Sequence, residues 1–216
     1  MKRMKDNSID LVLTDPPYDI DTSGGGGKSC LTSIGKLTGD KIKKIDSGFD
    51  IDLHFTEYKR ILKKFNAFVF CSDKQISQIM AWGEEKGYFT TCLIWHKYNS
   101  TPFANGVWRQ DIEFCIHIRE KGAYFQGDAQ QKQKVTKLPI QTNDFGHPTQ
   151  KPLKLIEKYL KIGSDNEHII YDPFSGSGTT LEGCKVLKRN YIGSELDEDY
   201  YKIIQKRLSQ VQGSLF

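Results

Sequence analysis

Residues 167–180 read EHIIYDPFSGSGTT, and this stretch decides the fold class. Its first half is a short apolar run typical of a buried strand, and its second half is a glycine-rich turn that leads into a helix near Thr179. Such a turn lets the backbone approach a ligand closely and offers free N–H groups to it. Serine and glycine are also ordinary residues between a strand and a helix, so the turn alone does not establish a cofactor site.

A second feature supports a cofactor site at this turn. Glu195 follows the next short strand, at 190–193, roughly 20 residues after the turn, where an acid can accept hydrogen bonds from ribose hydroxyl groups. The alternative is a solvated acid near the N-terminus of the following helix. The spacing favours a cofactor that carries a nucleoside.

Outward from this stretch, apolar runs alternate with segments of helical periodicity. The predicted strands also include 9–14, 67–71, 89–95 and 111–118, and the predicted helices include 55–64, 75–86, 152–162 and 199–211. Strands separated by helices predict an α/β fold with a mostly parallel sheet. The alternating polarity of 111–118 favours an edge or antiparallel strand, and residues 122–145 are predicted to be loop.

The composition describes one globular unit, and we expect a single catalytic domain over residues 1–216. Apolar runs are too short to span a bilayer and no signal sequence is visible, so we expect a cytoplasmic protein with no membrane partner. The five cysteines form no CxxC pair, which indicates neither a disulfide framework nor a metal site. A net charge of +4 is compatible with nucleic acid and does not establish it.

The stretch DPPY, at 15–18, ends the first predicted strand. Two prolines stiffen the backbone, so the Asp15 carboxylate and the Pro16 carbonyl become fixed acceptors for one amino group, and Tyr18 can stack on the planar ring that carries the amine. A proline turn with a capping Asp and a packed Tyr is the alternative. The following GGGGKS is not a phosphate loop, because that motif requires glycine where Thr22 stands.

Four motifs in this order resemble the S-adenosylmethionine-dependent DNA amino-methyltransferases, in the permuted beta arrangement where DPPY precedes the glycine motif. They are LVLTDPPY at 11–18, GHPTQKP at 146–152, DPFSGSGTT at 172–180, and YIGSELDEDYY from 191 with KRL at 206–208. The resemblance implies a Rossmann-like class I methyltransferase fold: a mostly parallel sheet with one antiparallel strand, circularly permuted motif order and S-adenosylmethionine as cofactor. Such proteins usually have a further N-terminal edge strand, which we expect to be missing here.

The resemblance also implies roles for individual residues. In the catalytic motif, Asp15 and Pro16 accept hydrogen bonds from the target amine and Tyr18 stacks on a flipped base. Pro17 belongs to the same motif. The residues that it assigns to the cofactor are His147, Thr149, Lys151, Asp172, Phe174, Ser175, Gly176, Gly178, Thr179 and Glu195. Within that set, the phenylalanine and the glycines line the methionine part, Glu195 binds the ribose, and Thr149 and Lys151 are candidates for the carboxylate end.

The implied partner is double-stranded DNA, and a homodimer is compatible with the resemblance. Adenine N6 is favoured over cytosine N4 because Asp leads the motif. A cytosine-N4 or RNA enzyme, and an inactive nucleic-acid-binding form of the fold, are the alternatives. No metal is required, because acceptors at the amine can localise its lone pair.

Specificity is expected to lie in two segments. Residues 19–50 are predicted to be a mobile loop after the catalytic motif, with Lys28 as a phosphate partner, and 119–146 is predicted to be a short target-recognition segment. Side chains that could face DNA or a flipped base are Trp95, Lys97, Trp108, Arg109, Lys132, Lys134 and Lys137. For the tryptophans, core packing is an equal alternative, and for the last three lysines a solvated loop is at least as plausible.

Overall fold

The computed structural model describes residues 1–18, 49–100, 108–141 and 150–211. Its strands are β1 (Leu11–Thr14), β2 (Asn66–Cys71), β3 (Phe89–His96), β4 (Ile112–Arg119), β5 (Val135–Lys137), β6 (Ile169–Asp172) and β7 (Asn190–Gly193). Its helices are α1 (Ile51–Ile61), α2 (Ile76–Glu85), α3 (Leu153–Gly163), α4 (Thr179–Val186) and α5 (Glu198–Gln210), with one turn of 3₁₀ helix at Asp73–Gln75.

Within the described residues, the strands form one seven-stranded sheet in the order β5-β3-β4-β2-β1-β6-β7. β4 runs antiparallel to both of its neighbours, whereas every other pair of adjacent strands is parallel. β1 lies near the middle of the sheet and is buried along its whole length. Its carboxyl end therefore opens between β2 and β6, where ligands bind in sheets of this kind.

Helices cover both faces of the sheet, because successive side chains of a strand point to opposite sides. Val12 packs on one face with the core that includes Phe55 of α1 and Trp82 of α2. Leu11 and Leu13 pack on the other face with α3 and α4. The result is a three-layer α/β/α arrangement whose buried apolar area supplies the main favourable term in folding.

The predicted α/β fold with a mostly parallel sheet and one antiparallel strand is confirmed. One expectation about the elements was wrong. The segment 122–145 is not all loop, since β5 lies in it and pairs with Ile94–His96 of β3. The expectation of an edge or antiparallel strand at 111–118 is confirmed, because β4 is antiparallel to β3 and β2, which flank it.

The predicted mobile loop at 19–50 lies outside the described residues except for Phe49 and Asp50. Asp50 caps α1 by accepting a hydrogen bond from the backbone N–H of Leu53 at 2.9 Å, so the helix begins four residues before the predicted start. Among the described residues, β7 forms one edge of the sheet, and no helix combines the length and the apolar character that crossing a bilayer needs.

Candidate active site

The two halves of the predicted site meet at the carboxyl ends of adjacent strands. β1 and β6 pair in parallel, with Leu11 beside Ile170 and Val12 beside Tyr171. One step beyond this pairing, the buried Thr14 hydroxyl donates a hydrogen bond of 2.8 Å to Oδ1 of Asp172. The DPPY segment and the glycine turn therefore leave the sheet side by side, although they are far apart in the sequence.

The residues of the predicted catalytic motif form a compact group at the end of β1. Pro16 is buried, whereas Asp15 and Tyr18 are half-buried. The Tyr18 hydroxyl donates to Oδ1 of Asp15 at 2.8 Å. Burial raises the pKa of Tyr18 well above its usual value, and the neighbouring Asp15 carboxylate raises it further, so the phenol remains a neutral donor. Asp15 is thus held by a side chain three residues away.

The glycine turn has a backbone shape that requires glycine at two positions. Gly176 has φ of +49° and Gly178, which precedes α4, has φ of +83°. A Cβ atom at Gly178 would also approach Cγ1 of Ile204 to 3.0 Å. Left-handed backbone is disfavoured for residues with a Cβ atom, so the SGSG sequence is what permits this turn.

Glu195 lies against the same turn. One oxygen of its carboxylate, Oε2, accepts a hydrogen bond of 2.8 Å from the backbone N–H of Gly176. The other oxygen, Oε1, accepts 2.9 Å bonds from the N–H groups of Leu196 and Asp197. These three donors fix the carboxylate beside the turn and keep it close to solvent, where it remains able to accept from a further hydroxyl group.

Phe174 and the segment before α1 make an aromatic contact beside the turn. The Phe174 ring lies 5.8 Å from that of Phe49 and 5.4 Å from that of His54, measured between centroids. The backbone N–H of Phe174 donates to Oδ1 of Asp172 at 3.1 Å. The start of α1 therefore packs against one side of the glycine turn through Phe49 and His54.

Arg207 of α5 binds the glycine turn through hydrogen bonds to Ser177. It is buried, with 2% of its surface exposed. Its Nη1 donates to the carbonyl and hydroxyl oxygens of Ser177 at 3.1 and 3.2 Å, and its Nε contacts the Glu182 carboxylate at 2.5 Å. A guanidinium can bind the turn and the helix together because its donors form a rigid fork.

Asp172 is a buried carboxyl group between the two halves of the site. Burial raises its pKa to about 7, against the opposing effect of donors that include the Thr14 hydroxyl and the N–H of Phe174, and nearby Asp15 adds to the rise. The group can therefore change its charge near neutral pH. Strand ends that carry such perturbed groups are candidates for functional sites.

Lys151 has a different environment from the one that the sequence suggested. Its Nζ lies 2.5 Å from Oδ2 of Asp15 and 3.1 Å from Oε2 of Glu113, and 5% of the side chain is exposed. Burial alone would lower the pKa of Lys151, but the two carboxylates outweigh it and the pKa is raised. In this structure the lysine thus contacts Asp15 of the predicted catalytic motif, and its expected contact with the cofactor's carboxylate stays a prediction.

Of the other residues predicted to bind the cofactor, Ser175 and Thr179 are buried in the turn and the first turn of α4. The Ser175 N–H donates to the carbonyl of Ser194 at 3.0 Å, which ties the turn to the residue before Glu195. His147 and Thr149 lie outside the described residues.

The side chains proposed to face DNA differ in their exposure and in their contacts. Trp95 is a core residue whose indole N–H donates to the Leu138 carbonyl at 2.9 Å, and Arg109 donates to Ser100. Trp108, in contrast, is 92% exposed. Lys132 lies over the ring of Phe125 at 4.7 Å. Packing thus accounts for Trp95 but not for Trp108.

A family model for DNA methylases of the N6/N4 type matches residues 9–206, which is nearly the whole chain. The chain belongs to this DNA methylase family. The predicted family is thereby confirmed, and the match includes both the catalytic motif and the glycine turn.

Named relatives of this DNA methylase agree with that assignment. Type II methyltransferase M2.MboI of Moraxella bovis is 29% identical over 233 residues, which span 98% of this chain and 84% of the relative. M.HinfI of Haemophilus influenzae is 27% identical over 245 residues, spanning 98% of this chain and 66% of the relative.

Solved structures share the fold. The M1.HpyAVI–SAM complex aligns with a TM-score of 0.69 and 29% identity, covering 96% of this chain and 90% of that one. The cytosine-N4-specific PvuII DNA methyltransferase also aligns with a TM-score of 0.69, at 16% identity, over all of this chain and 84% of its own. The second likeness concerns the fold alone, and together they confirm a Rossmann-like methyltransferase architecture for the DNA methylase.

Sequence reasoning missed two polar residues of this site. Thr14 is a buried hydroxyl at the end of the apolar run LVL, and Glu113 is an acid in the otherwise mostly apolar run IEFCI. A polar residue in an apolar strand is the available signal, because burying such a group is costly unless it has a partner. Both contact a predicted site residue, Asp172 and Lys151 respectively.

Proposed function

We propose that this protein methylates the exocyclic N6 amine of adenine in double-stranded DNA, with S-adenosylmethionine as the methyl donor. The observation that carries the proposal is the contact between the two strand ends: the acceptor Asp15 follows Thr14, whose hydroxyl is bonded at 2.8 Å to Asp172 at the start of the glycine turn. A clamp for an amine and a turn for a nucleoside-bearing cofactor are therefore adjacent.

The turn fits the proposed cofactor on its own geometry. Gly176 and Gly178 have positive φ and no side chain to fill the concave side of the turn, and the Glu195 carboxylate lies 2.8 Å from the Gly176 N–H. Glu195 is thereby in place to accept from ribose hydroxyl groups, and Phe174 offers an apolar ring for the methionine part. When bound, S-adenosylmethionine supplies an electrophilic methyl group on a sulfonium.

The clamp has to act on a poor nucleophile, since the lone pair of an adenine amine is delocalised into the ring. Asp15 and the carbonyl of Pro16 are proposed to accept the two amine hydrogens and hold them out of the ring plane, which localises the lone pair on nitrogen. Asp15 is already oriented by the Tyr18 hydroxyl at 2.8 Å and by Lys151. The proton that the nitrogen releases on methylation is proposed to pass to the half-buried Asp15 carboxylate and from there to solvent.

A target amine in a duplex is reached by flipping the base out of the stack, which costs a few kcal/mol. Stacking on an aromatic ring recovers about 1–3 kcal/mol, and Tyr18 is the proposed ring. Adenine is proposed over cytosine because the acidic Asp15 leads the motif. The PvuII enzyme named above shows that this fold also occurs in a cytosine-N4-specific protein, so the fold does not decide between the bases.

We further propose that 119–146 contributes to DNA recognition. Lys137 lies at the carboxyl end of β5, beside His96 of β3. Since β5, β3 and β1 run in the same direction, this is also the end of the sheet at which the proposed clamp lies. Neutralising Lys134 and Lys137 together should weaken DNA binding and reduce its dependence on salt, because each phosphate contact releases counterions. Unchanged affinity and salt dependence would remove this segment from the DNA interface.

The deciding experiment identifies the methylated base directly. The protein is incubated with unmethylated genomic DNA and S-adenosylmethionine carrying a deuterated methyl group, and the DNA is digested to nucleosides for mass spectrometry. Label in N6-methyldeoxyadenosine supports the proposal. Label only in N4-methyldeoxycytidine would overturn the choice of base, and label in neither nucleoside would overturn the proposed activity. A parallel incubation with RNA distinguishes the RNA alternative, and sequencing of the methylated sites gives the recognition sequence.

A further inference from the structure

Four side chains of alternating charge connect β4 to the catalytic motif: Lys97, Glu113, Lys151 and Asp15, here called the charge chain. Lys97 Nζ lies 3.1 Å from Oε1 of Glu113, Lys151 Nζ lies 3.1 Å from Oε2 of Glu113, and Lys151 Nζ lies 2.5 Å from Oδ2 of Asp15. The two lysine side chains are 10% and 5% exposed. Two positive and two negative groups thus balance, with the ammonium groups buried and the carboxylates of Glu113 and Asp15 23% and 29% exposed.

The ammonium of Lys151 depends on this arrangement. A buried ammonium is costly unless it is paired, and Lys151 has a carboxylate on each side. The rings of Tyr18 and Phe70, with centroids 5.5 and 5.0 Å from Nζ, add cation–π attraction. Glu113 is therefore one of the two anions, among the described residues, that keep this cation in place.

Glu113 also limits how strongly Lys151 can hold Asp15. Both oxygens of Asp15 already have a donor, since Oδ1 accepts from Tyr18 and Oδ2 from Lys151. An incoming amine must share these acceptor oxygens. If the Lys151 ammonium had Asp15 as its sole anionic partner, it would compete with the amine for the carboxylate more strongly than it does when Glu113 shares it.

We propose that Glu113 is a positioning residue for methyl transfer: it shares the Lys151 ammonium with Asp15, and so keeps the Asp15 carboxylate oriented and available to the target amine. The inference rests on the proposed function, because it assigns Asp15 to the amine. It adds a residue of the antiparallel strand β4 to a site otherwise built from the ends of β1 and β6.

Besides Asp15 and Glu113, the described part of the chain has other ionisable side chains near Lys151. They are the Tyr18 phenol, the thiols of Cys71 on β2 and Cys115 on β4, and, beyond Glu113, the Lys97 ammonium. Burial raises the pKa of both thiols, so they stay neutral near Lys151. Burial would raise the pKa of Glu113 as well, but Lys151 and Lys97 outweigh it and lower the pKa, so the carboxylate is charged.

The substitution Glu113→Gln tests the inference, because it keeps the shape and removes the charge. Under single-turnover conditions with saturating cofactor, we expect the methyl-transfer rate to fall by about 10- to 100-fold, since small misplacements of reacting groups cost up to about 100-fold. Cofactor affinity should stay close to that of the wild type. The matched control is Glu57→Gln on α1, which removes the charge of a glutamate that is similarly exposed, at 25%, and also pairs with a cation, since Arg60 lies 2.9 Å from its carboxylate. This control should retain the wild-type rate.

The dependence on pH separates positioning from loss of structure. Burial lowers the pKa of Lys151, and without Glu113 only the Asp15 carboxylate opposes this effect. The pKa of Lys151 therefore falls in the variant, and the neutral fraction of Lys151 grows as the pH rises. The rate deficit of Glu113→Gln should therefore narrow between pH 7 and pH 10, because a neutral Lys151 competes less than an ammonium for the Asp15 carboxylate. Glu113→Asp keeps the charge but withdraws the carboxylate, so it should be slower than the wild type by a factor that does not change over this range.

A spectroscopic measurement on the protein without cofactor or DNA completes the test. The Lys151 side-chain NMR signals, assigned by their loss in Lys151→Met, should not titrate below pH 10 in the wild type and should begin to titrate in Glu113→Gln. A folded Glu113→Gln protein with the wild-type rate and wild-type Lys151 signals would overturn the inference. A wild-type protein that methylates no nucleic acid would instead overturn the proposed function, while the NMR result would still report on the pairing. If Glu113→Gln does not fold, Glu113→Asp decides, and a wild-type rate in that variant overturns the inference.

Discussion

The buried carboxyl of Asp172 should make the protein less stable as the pH rises, and Asp172→Asn should remove this effect. Burial is the largest cause of the raised pKa, which lies at about 7. The hydroxyls of Thr14 and Thr180 and the N–H of Phe174 oppose the rise without cancelling it. Asparagine has nearly the same shape, keeps an oxygen for the Thr14 and Phe174 donors, and carries no charge at any pH.

The magnitude follows from the difference between the folded and unfolded states. Asp172 has a pKa of about 7 when folded and an ordinary value of 3.8 when exposed. Below about pH 4 the group is neutral in both states, and its contribution vanishes. As the pH rises to about 7, the unfolded chain ionises more readily than the folded one, so stability is lost. At about 1.4 kcal/mol for each pKa unit, the loss reaches at most about 4 kcal/mol, of which about 2 kcal/mol falls between pH 5.5 and 8.5.

Urea unfolding without cofactor at pH 5.5, 7 and 8.5 measures this difference for the wild type and for Asp172→Asn. We expect the variant to gain about 2 kcal/mol relative to the wild type across that range. Asp165→Asn, at an exposed carboxylate, serves as the control and should follow the wild type. A stability difference between Asp172→Asn and the wild type that does not change with pH would refute the assignment of a neutral, buried carboxyl below pH 7.

Three further substitutions test the site. Asp15→Ala should abolish methyl transfer and leave S-adenosylmethionine affinity by calorimetry nearly unchanged, because the carboxylate acts on the amine; retained turnover would contradict the clamp. Gly176→Val should prevent cofactor binding, since a β-branched residue at φ of +49° distorts the turn, and normal affinity would contradict its placement there. Arg207→Met should cost about 3 kcal/mol in urea unfolding, because it leaves Glu182 without its buried partner and Ser177 without a donor, whereas an unchanged midpoint would show that the turn does not depend on α5.

Much of the fold was predictable where the sequence pattern is strong. The bounds of β7 at Asn190–Gly193 match the prediction, and four residues after this short strand Asp197 caps the next helix. The three residues Val135–Lys137 were not predicted as a strand, since so short and polar a segment carries no periodicity. They become β5 through pairing with β3, which is a tertiary effect that local pattern does not contain.

Each half of the candidate site corresponds to a motif that is visible in the sequence, but the contacts that join the halves were not predicted. Asp15 and the glycine turn lie in local motifs, and four motifs in the order typical of the family suggested their roles, which stay predictions. The contacts of Thr14 with Asp172 and of Glu113 with Lys151 join residues that are distant in sequence and depend on strand order. An isolated polar residue in an apolar strand indicates that a partner exists, but only the order β4-β2-β1-β6 shows which one.

The bond between Thr14 and Asp172 also constrains how the protein is made. These residues are 158 positions apart, and a ribosome adding about 5–20 residues each second needs about 8–30 s to synthesise the interval. Until Asp172 emerges, β1 lacks its neighbour on one side, and its apolar residues have an open backbone edge that other chains could pair with. The proposed amine clamp and the proposed cofactor turn can therefore come together only late, after Asp172 has been synthesised.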